Sequence, residues 1–184
     1  RTFMRILRNL EQEYLAGKKS RSIISQVACD IGRAIPLMEE EINELEDICL
    51  LHDIGEIVIP KMIFKKRGSL TEDEYSVVKR HPEAGYQILK SMEEYSAMAN
   101  YVLSHHEKWD GSGYPRKLKG EAIPLYSRII AIADAYEAMT SGRVYKKAMS
   151  SEEAMLEILK NAGTAFDPSL VRVFAESFYN KKNL

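Results

Sequence analysis

Apolar residues recur along this chain three and four positions apart, the period of a helix with one buried face. Phe3, Ile6, Leu7, Leu10 and Tyr14 mark a first such face, and Ile23, Ile24, Val27, Ile31 and Ile35 a second, stopped near Pro36. Ile42, Leu45, Ile48, Cys49 and Leu50 predict a third helix that runs into His52-Asp53 and stops at Gly55. Val58-Ile59-Pro60 reads as a short connector. Thr71 with Glu74 has the form of a capping box and opens a fourth helix. The stretch after Pro82 gives a short fifth. Tyr95, Met98, Val102 and His105-His106 fall on a sixth, followed by a polar, glycine-rich loop from Glu107 to about Pro124. Leu125, Ile129, Ile132, Ala133 and Tyr136 mark a long seventh. Residues 151–161 and 167–179 complete the series, the last opened by Asp167 as N-cap with Pro168 in the first turn. No run reads as a strand, no segment repeats and no linker divides the chain. The pattern predicts a single all-α domain over residues 1–184.

Composition narrows the function. A length of 184 residues suits one domain, and 45% hydrophobic with 29% charged residues is ordinary for a globular protein. The net charge of -1 provides no global field to draw in a nucleic acid backbone, so no DNA or RNA polymer is expected as a partner. No apolar run approaches the roughly 20 residues that span a bilayer, and no signal peptide is visible. A cytoplasmic domain without membrane contact is the expectation. Cys29 and Cys49 form no CxxC pair and sit in apolar helical patterns, as buried small hydrophobes do. The chain starts at Arg1 rather than Met, which leaves room for an upstream segment.

The candidate chemistry lies in four histidines, His52, His81, His105 and His106, two of which stand beside further candidate ligands. Imidazole nitrogen and carboxylate oxygen suit Zn, Fe or Mn, and an aspartate such as Asp53 can bridge two ions. Two cations about 3.5–4 Å apart can clamp a phosphoryl oxygen and activate water at neutral pH. Asp134 lies inside the strongly apolar run Ile129 to Tyr136. A buried carboxylate needs a partner, either a cation or a set of hydrogen-bond donors. The loop Trp109-Asp110-Gly111-Ser112-Gly113-Tyr114-Pro115 fits either a plain turn or a ligand site. Its glycines permit close approach of a ligand, and Tyr114 offers a ring for stacking and a hydroxyl for donation.

Taken in order, Leu51-His52-Asp53-Ile54-Gly55, His81-Pro82-Glu83-Ala84-Gly85, His105-His106-Glu107 through Tyr114-Pro115, Ile132-Ala133-Asp134 through Ser141, and Arg143 through Ala148 resemble the HD-GYP family, a subgroup of the HD phosphohydrolases. The resemblance covers nearly the whole chain. It implies a helical bundle with a five-helix HD core and additional C-terminal helices. It implies hydrolysis of a cyclic dinucleotide, cyclic di-GMP first, to the linear dinucleotide or GMP. It implies two divalent metal ions, Fe or Mn before Zn, Mg or Ni, held by His52, Asp53, His81, His105, His106 and Asp134. Asp53 would bridge them, with His52 and Asp53 central to catalysis. Gly113 and Tyr114 would line the substrate pocket, and Arg143 and Lys146 would hold phosphate. Family members often follow a sensory or receiver domain, so residues 1–15 would be a connecting helix; a homodimer is a further expectation.

Two positions depart from the family pattern. Where the family carries a glutamate and a histidine ligand on an early helix, the best match gives Ala16 and Ser20, so a third metal is not expected. The site of His52, Asp53 and Asp134 is then short of one imidazole, whereas that of Asp53, His81, His105 and His106 is complete. Glu56 stands where the family has a phosphate-contacting lysine, reversing the charge. A carboxylate there would repel phosphate or approach a metal itself, and Lys18, Lys19, Lys61 or Lys65 would be candidates to restore positive charge. Two functions follow: a phosphodiesterase of reduced activity, or a degenerate domain that binds a cyclic dinucleotide, or a protein partner, without cleavage.

Overall fold

The structure, a computed structural model, describes residues 18–143 and 146–184. The proposed connecting helix at 1–15, and Ala16, lie outside the described residues. Nine α-helices are present among them: α1 (Lys18–Ala34), α2 (Glu39–Leu51), α3 (Lys61–Phe64), α4 (Glu72–Val78), α5 (His81–Lys90), α6 (Ala99–Leu103), α7 (Leu125–Ser141), α8 (Ser151–Lys160) and α9 (Pro168–Lys182). Tight 3₁₀ turns at Ile54–Val58 and Glu93–Met98 join α2 to α3 and α5 to α6. No strand occurs among the described residues, as the helical period requires.

The bundle is built around α7. Ile129, Ile130, Ile132 and Ala133 of this helix are fully buried, against Ile24, Ala28 and Ile31 of α1, Leu45 and Ile48 of α2 and Val102 of α6. Burying each such isoleucine contributes about 1.5–3 kcal/mol. On the far side α8 and α9 add Met155, Ile158, Leu170 and Phe174 to the same core. Both expected caps form. Thr71 Oγ1 accepts from Glu74 N at 3.1 Å while Glu74 Oε2 accepts from Thr71 N at 2.9 Å. Asp167 Oδ1 accepts from Ser169 N at 2.9 Å ahead of Pro168.

Three local expectations are corrected. Helix α2 ends at Leu51 rather than Gly55, and the chain continues as the 3₁₀ turn. His105 and His106 lie beyond the helix expected to carry them, because α6 ends at Leu103; Tyr95 falls in the 3₁₀ turn before it. In both places a histidine side chain donates to a carbonyl of the last helical turn, at Val102 alongside the backbone N–H of His105 itself. The connector Val58-Ile59-Pro60 leads into an extra single turn, α3, that no sequence period announced.

One backbone contact positions the site. A methyl group on Gly55 would overlap the carbonyl oxygen of His81 and the backbone nitrogen of Gly85. Gly85 in turn has room only for hydrogen, with Val102 Cγ1 2.9 Å from where its Cβ would stand. The turn after Asp53 therefore lies directly on the first turn of α5, bringing Asp53 and His81 together. Gly55→Ala is expected to lower stability by about 1–3 kcal/mol or more, the cost of overpacking a rigid contact. It should also weaken Mn(II) uptake; denaturant unfolding and calorimetric metal titration of the two chains check both.

Candidate metal centre

Three imidazoles are held in the same way. Nδ1 of His52 donates to the carbonyl of Cys49 at 2.7 Å, Nδ1 of His81 to Val78 at 2.7 Å, and Nδ1 of His105 to Val102 at 2.5 Å. Each acceptor lies three residues back, in the last turn of α2, α4 or α6. Helix ends leave such carbonyls without backbone partners, and a donating side chain satisfies them. With a proton fixed on Nδ1, each Nε2 is the atom left to take a cation, either a second proton or a metal.

Those Nε2 atoms converge. His81 Nε2 is 3.2 Å from His105 Nε2 and 3.1 Å from His106 Nε2. Asp53 Oδ1 is 3.4 Å from both His81 Nε2 and His105 Nε2. On the other side, His52 Nε2 lies 3.0 Å from Asp53 Oδ2 and 3.7 Å from Asp134 Oδ1. It is buried without a hydrogen-bond partner among the described residues. The six residues form two donor sets, Asp53-His81-His105-His106 and His52-Asp53-Asp134, sharing Asp53. Acceptor atoms facing acceptor atoms repel unless a positive charge lies between them, so the donor set fits divalent cations. Asp134 is less buried than its apolar neighbours suggested: its side chain is 27% exposed and opens on a cavity.

The titration behaviour agrees. Burial opposes the charge on His52, but the carboxylates of Asp53 and Asp134 outweigh it and hold the imidazole well above its ordinary range. Asp53 is likewise opposed by burial and is held well below the carboxylate range by His52, His105 and His81. His106 moves down, because burial and then the charges of His105 and His81 disfavour its protonation. The centre attracts positive charge, and protons compete with metal for the same atoms.

Glu107, which the sequence reading passed over, secures the loop above the centre. Its buried carboxylate accepts from Arg116 N at 2.7 Å and from Leu118 N at 3.0 Å. The signal was a glutamate directly after the ligand pair with no lysine in register. A side chain on Gly113 would strike the backbone of His106, Glu107 and Lys108, so glycine keeps the loop against the ligand pair. Tyr114 N donates to His106 O at 3.3 Å, and its ring stacks on His106 at 5.1 Å and 16°. Burial, and after it Tyr75, Asp134 and Asp53, hold the Tyr114 phenol above its usual range, so it stays a donor.

A cavity of about 630 Å³ opens over Asp53, Glu56, His81, His106, Asp134 and Arg143. Arg143 is exposed, and one of its guanidinium nitrogens lies 3.3 Å from the buried Glu137. Lys146 exchanges backbone hydrogen bonds with Arg143 at 2.8 and 3.1 Å, but lines a second hollow of about 430 Å³ shared with His105 and Asp134. Lys66 lines the larger cavity, where Lys61 or Lys65 had been candidates, and pairs with Glu74 at 2.7 Å. The backbone of Ser20 lies in the first turn of α1. Glu56 faces the cavity from the 3₁₀ turn. Burial, then Asp53 and Asp134, raise its carboxyl to about 7 against the opposing pull of His81 and His52.

Comparison with known proteins finds relatives in sequence and in fold. A family model described as "HD domain" matches residues 2–170. The "Cyclic di-GMP phosphodiesterase response regulator RpfG" of Xanthomonas campestris is 41% identical over 174 residues, covering 92% of this chain and 46% of that protein. A "Cyclic di-GMP phosphodiesterase" of Vibrio cholerae is 44% identical over 131 residues, 67% of this chain and 27% of its own length. The chain thus spans less than half the length of these relatives. Among solved structures, a cyclic GMP-AMP specific phosphodiesterase of V. cholerae (V-cGAP3) superposes with a TM-score of 0.69 at 26% identity, over 89% of this chain and 44% of that one.

The raised Glu56 carboxyl gives a pH prediction. In chelator-treated protein it holds its proton more tightly folded than unfolded, so its contribution is full below its unfolded value and lost as pH rises through about 7. Glu56→Gln is therefore expected to match the parent melting temperature near pH 4.5 and to exceed it increasingly up to about pH 7, levelling off above. Equal melting curves for the two chains at pH 8 would show that Glu56 is solvated.

Proposed function

The chain belongs to the HD domain family, of HD-GYP type, and on that premise we propose that it is a metal-dependent phosphodiesterase that hydrolyses a cyclic dinucleotide, cyclic di-GMP first, to the linear dinucleotide. The observation that carries this reading is the convergence of four imidazoles and two aspartates into two donor sets that share Asp53. His52, Asp53 and Asp134 would hold one ion, and Asp53, His81, His105 and His106 the other. Iron or manganese is the first expectation for both. Two such cations supply Lewis acidity to a phosphoryl group and lower the pKa of water.

The chain's own residues do the rest. Asp53 and the carbonyl-held imidazoles fix the donor geometry before substrate arrives, so little reorganisation is needed. Water attacks phosphorus, one ring P–O bond breaks, and the sugar oxygen leaves with a proton. Arg143 lines the cavity as a guanidinium for a phosphate, exchanging Glu137 for it. The Tyr114 hydroxyl, held neutral, donates into the same space. Lys146 faces the second hollow, so a role on phosphate would lie at that side of the centre.

Glu56 favours a second reading, a domain that binds the nucleotide and cleaves it slowly or not at all, since its carboxylate faces the cavity where phosphate would enter. Purified with Mn(II) or Fe(II), the chain is expected to carry two ions and to cleave cyclic di-GMP, with turnover lost on chelation. One ion or none, with nucleotide bound and no product, supports the second reading. Ser20→His with Glu56→Lys is expected to raise kcat/KM at least about tenfold, the worth of a restored charge-assisted contact. An unchanged rate in the double variant would show that these two positions do not limit the site.

A further inference from the structure

A cyclic dinucleotide needs a surface for its bases as well as a centre for its phosphates. An aromatic ring with an open face provides one, because every base has a π-face. Two tyrosines line the larger cavity, Tyr114 and Tyr75. Tyr114 is already engaged: its ring stacks on His106, and Lys79 Nζ stands 5.5 Å from its centre. A base could not lie on it without displacing one of them. Tyr75, in α4, is 48% exposed, and no aromatic ring stacks on it among the described residues. Lys79, one helical turn further on, lies 5.0 Å from its centre. The ammonium thus bridges both tyrosines and pairs with no carboxylate among the described residues, whereas Lys66, which lines the cavity, is neutralised by Glu74.

We propose that the Tyr75 ring, backed by Lys79, is the platform on which a purine base of the bound nucleotide stacks, and that Tyr114 is not. The proposal rests on reading the cavity as a cyclic-dinucleotide site, and adds to it a base subsite away from the ligands around Asp53. A cavity of about 630 Å³ has room for base and sugar together. A cation against one face of the ring withdraws electron density and favours an electron-rich purine on the other.

The test compares two small ligands on the metal-loaded chain. GMP carries base, sugar and phosphate; ribose 5-phosphate carries the last two only. Tyr75→Ala is expected to weaken GMP binding about tenfold and leave ribose 5-phosphate unchanged, while Tyr75→Phe preserves both affinities in calorimetric titration. With cyclic di-GMP, KM should rise by a similar factor while kcat stays within about twofold, as for loss of uniform binding. Unchanged GMP affinity in Tyr75→Ala overturns the platform, and so does an equal loss for both ligands. Selective loss of GMP without any turnover by the parent chain upholds the platform and retires the phosphodiesterase reading; turnover with unchanged GMP affinity does the reverse.

Discussion

The structure depends on one repeated hydrogen bond, from a histidine Nδ1–H to a carbonyl in the last turn of a helix. It occurs three times, at His52 after α2, His81 after α4 and His105 after α6. Each bond ends its helix, fixes a proton on Nδ1 and aims Nε2 inward. The ends of three helices thereby bring three imidazoles together, where Asp53 meets them. Without that bond each ring could rotate about its side-chain torsions, and the ordering entropy of the centre would fall on the metal.

Holding acceptors against acceptors is unfavourable in an ion-free protein, and the rest of the bundle is arranged to sustain it. The apolar stripe of α7 anchors the helices that carry the ligands. Contact between Gly55 and the start of α5 leaves the Asp53 turn no freedom to swing away. Glu107 ties the 107–118 loop down through two backbone N–H groups, so Gly113 and Tyr114 close over His106. The site is thus strained electrostatically but rigid mechanically, the combination that favours cation binding. Glu56 adds a further negative charge to the cavity, and the chemistry of phosphate entry turns on how that charge is met.

Much of this was legible in the chain. The apolar period gave helices across the described residues, with both caps where Thr71 and Asp167 announced them. The histidines and aspartates stood out because imidazole and carboxylate are costly inside apolar helices unless they serve a purpose. Less legible were helix ends at which side chains donate to the last carbonyls. Periodicity continues through Leu51 and Leu103 and is blind to a side chain that takes a carbonyl. The one-turn α3 and the loop-tying role of Glu107 also left no periodic trace, since each arises from contacts distant in sequence.

The sequence by itself determined the all-α class and the core face of each long helix, because these follow from local periodicity, and it singled out the six side chains able to hold metal through its resemblance to the HD-GYP family. Only the tertiary structure decided that three helix-end carbonyls aim the imidazoles at Asp53, that Arg143 and Lys146 line different hollows, and that His106 stacks on Tyr114 while no aromatic ring among the described residues stacks on Tyr75. These are facts of where side chains point and which distant segments they meet. They are settled by how helices pack, and packing is a sum over many weak contacts that no single motif records.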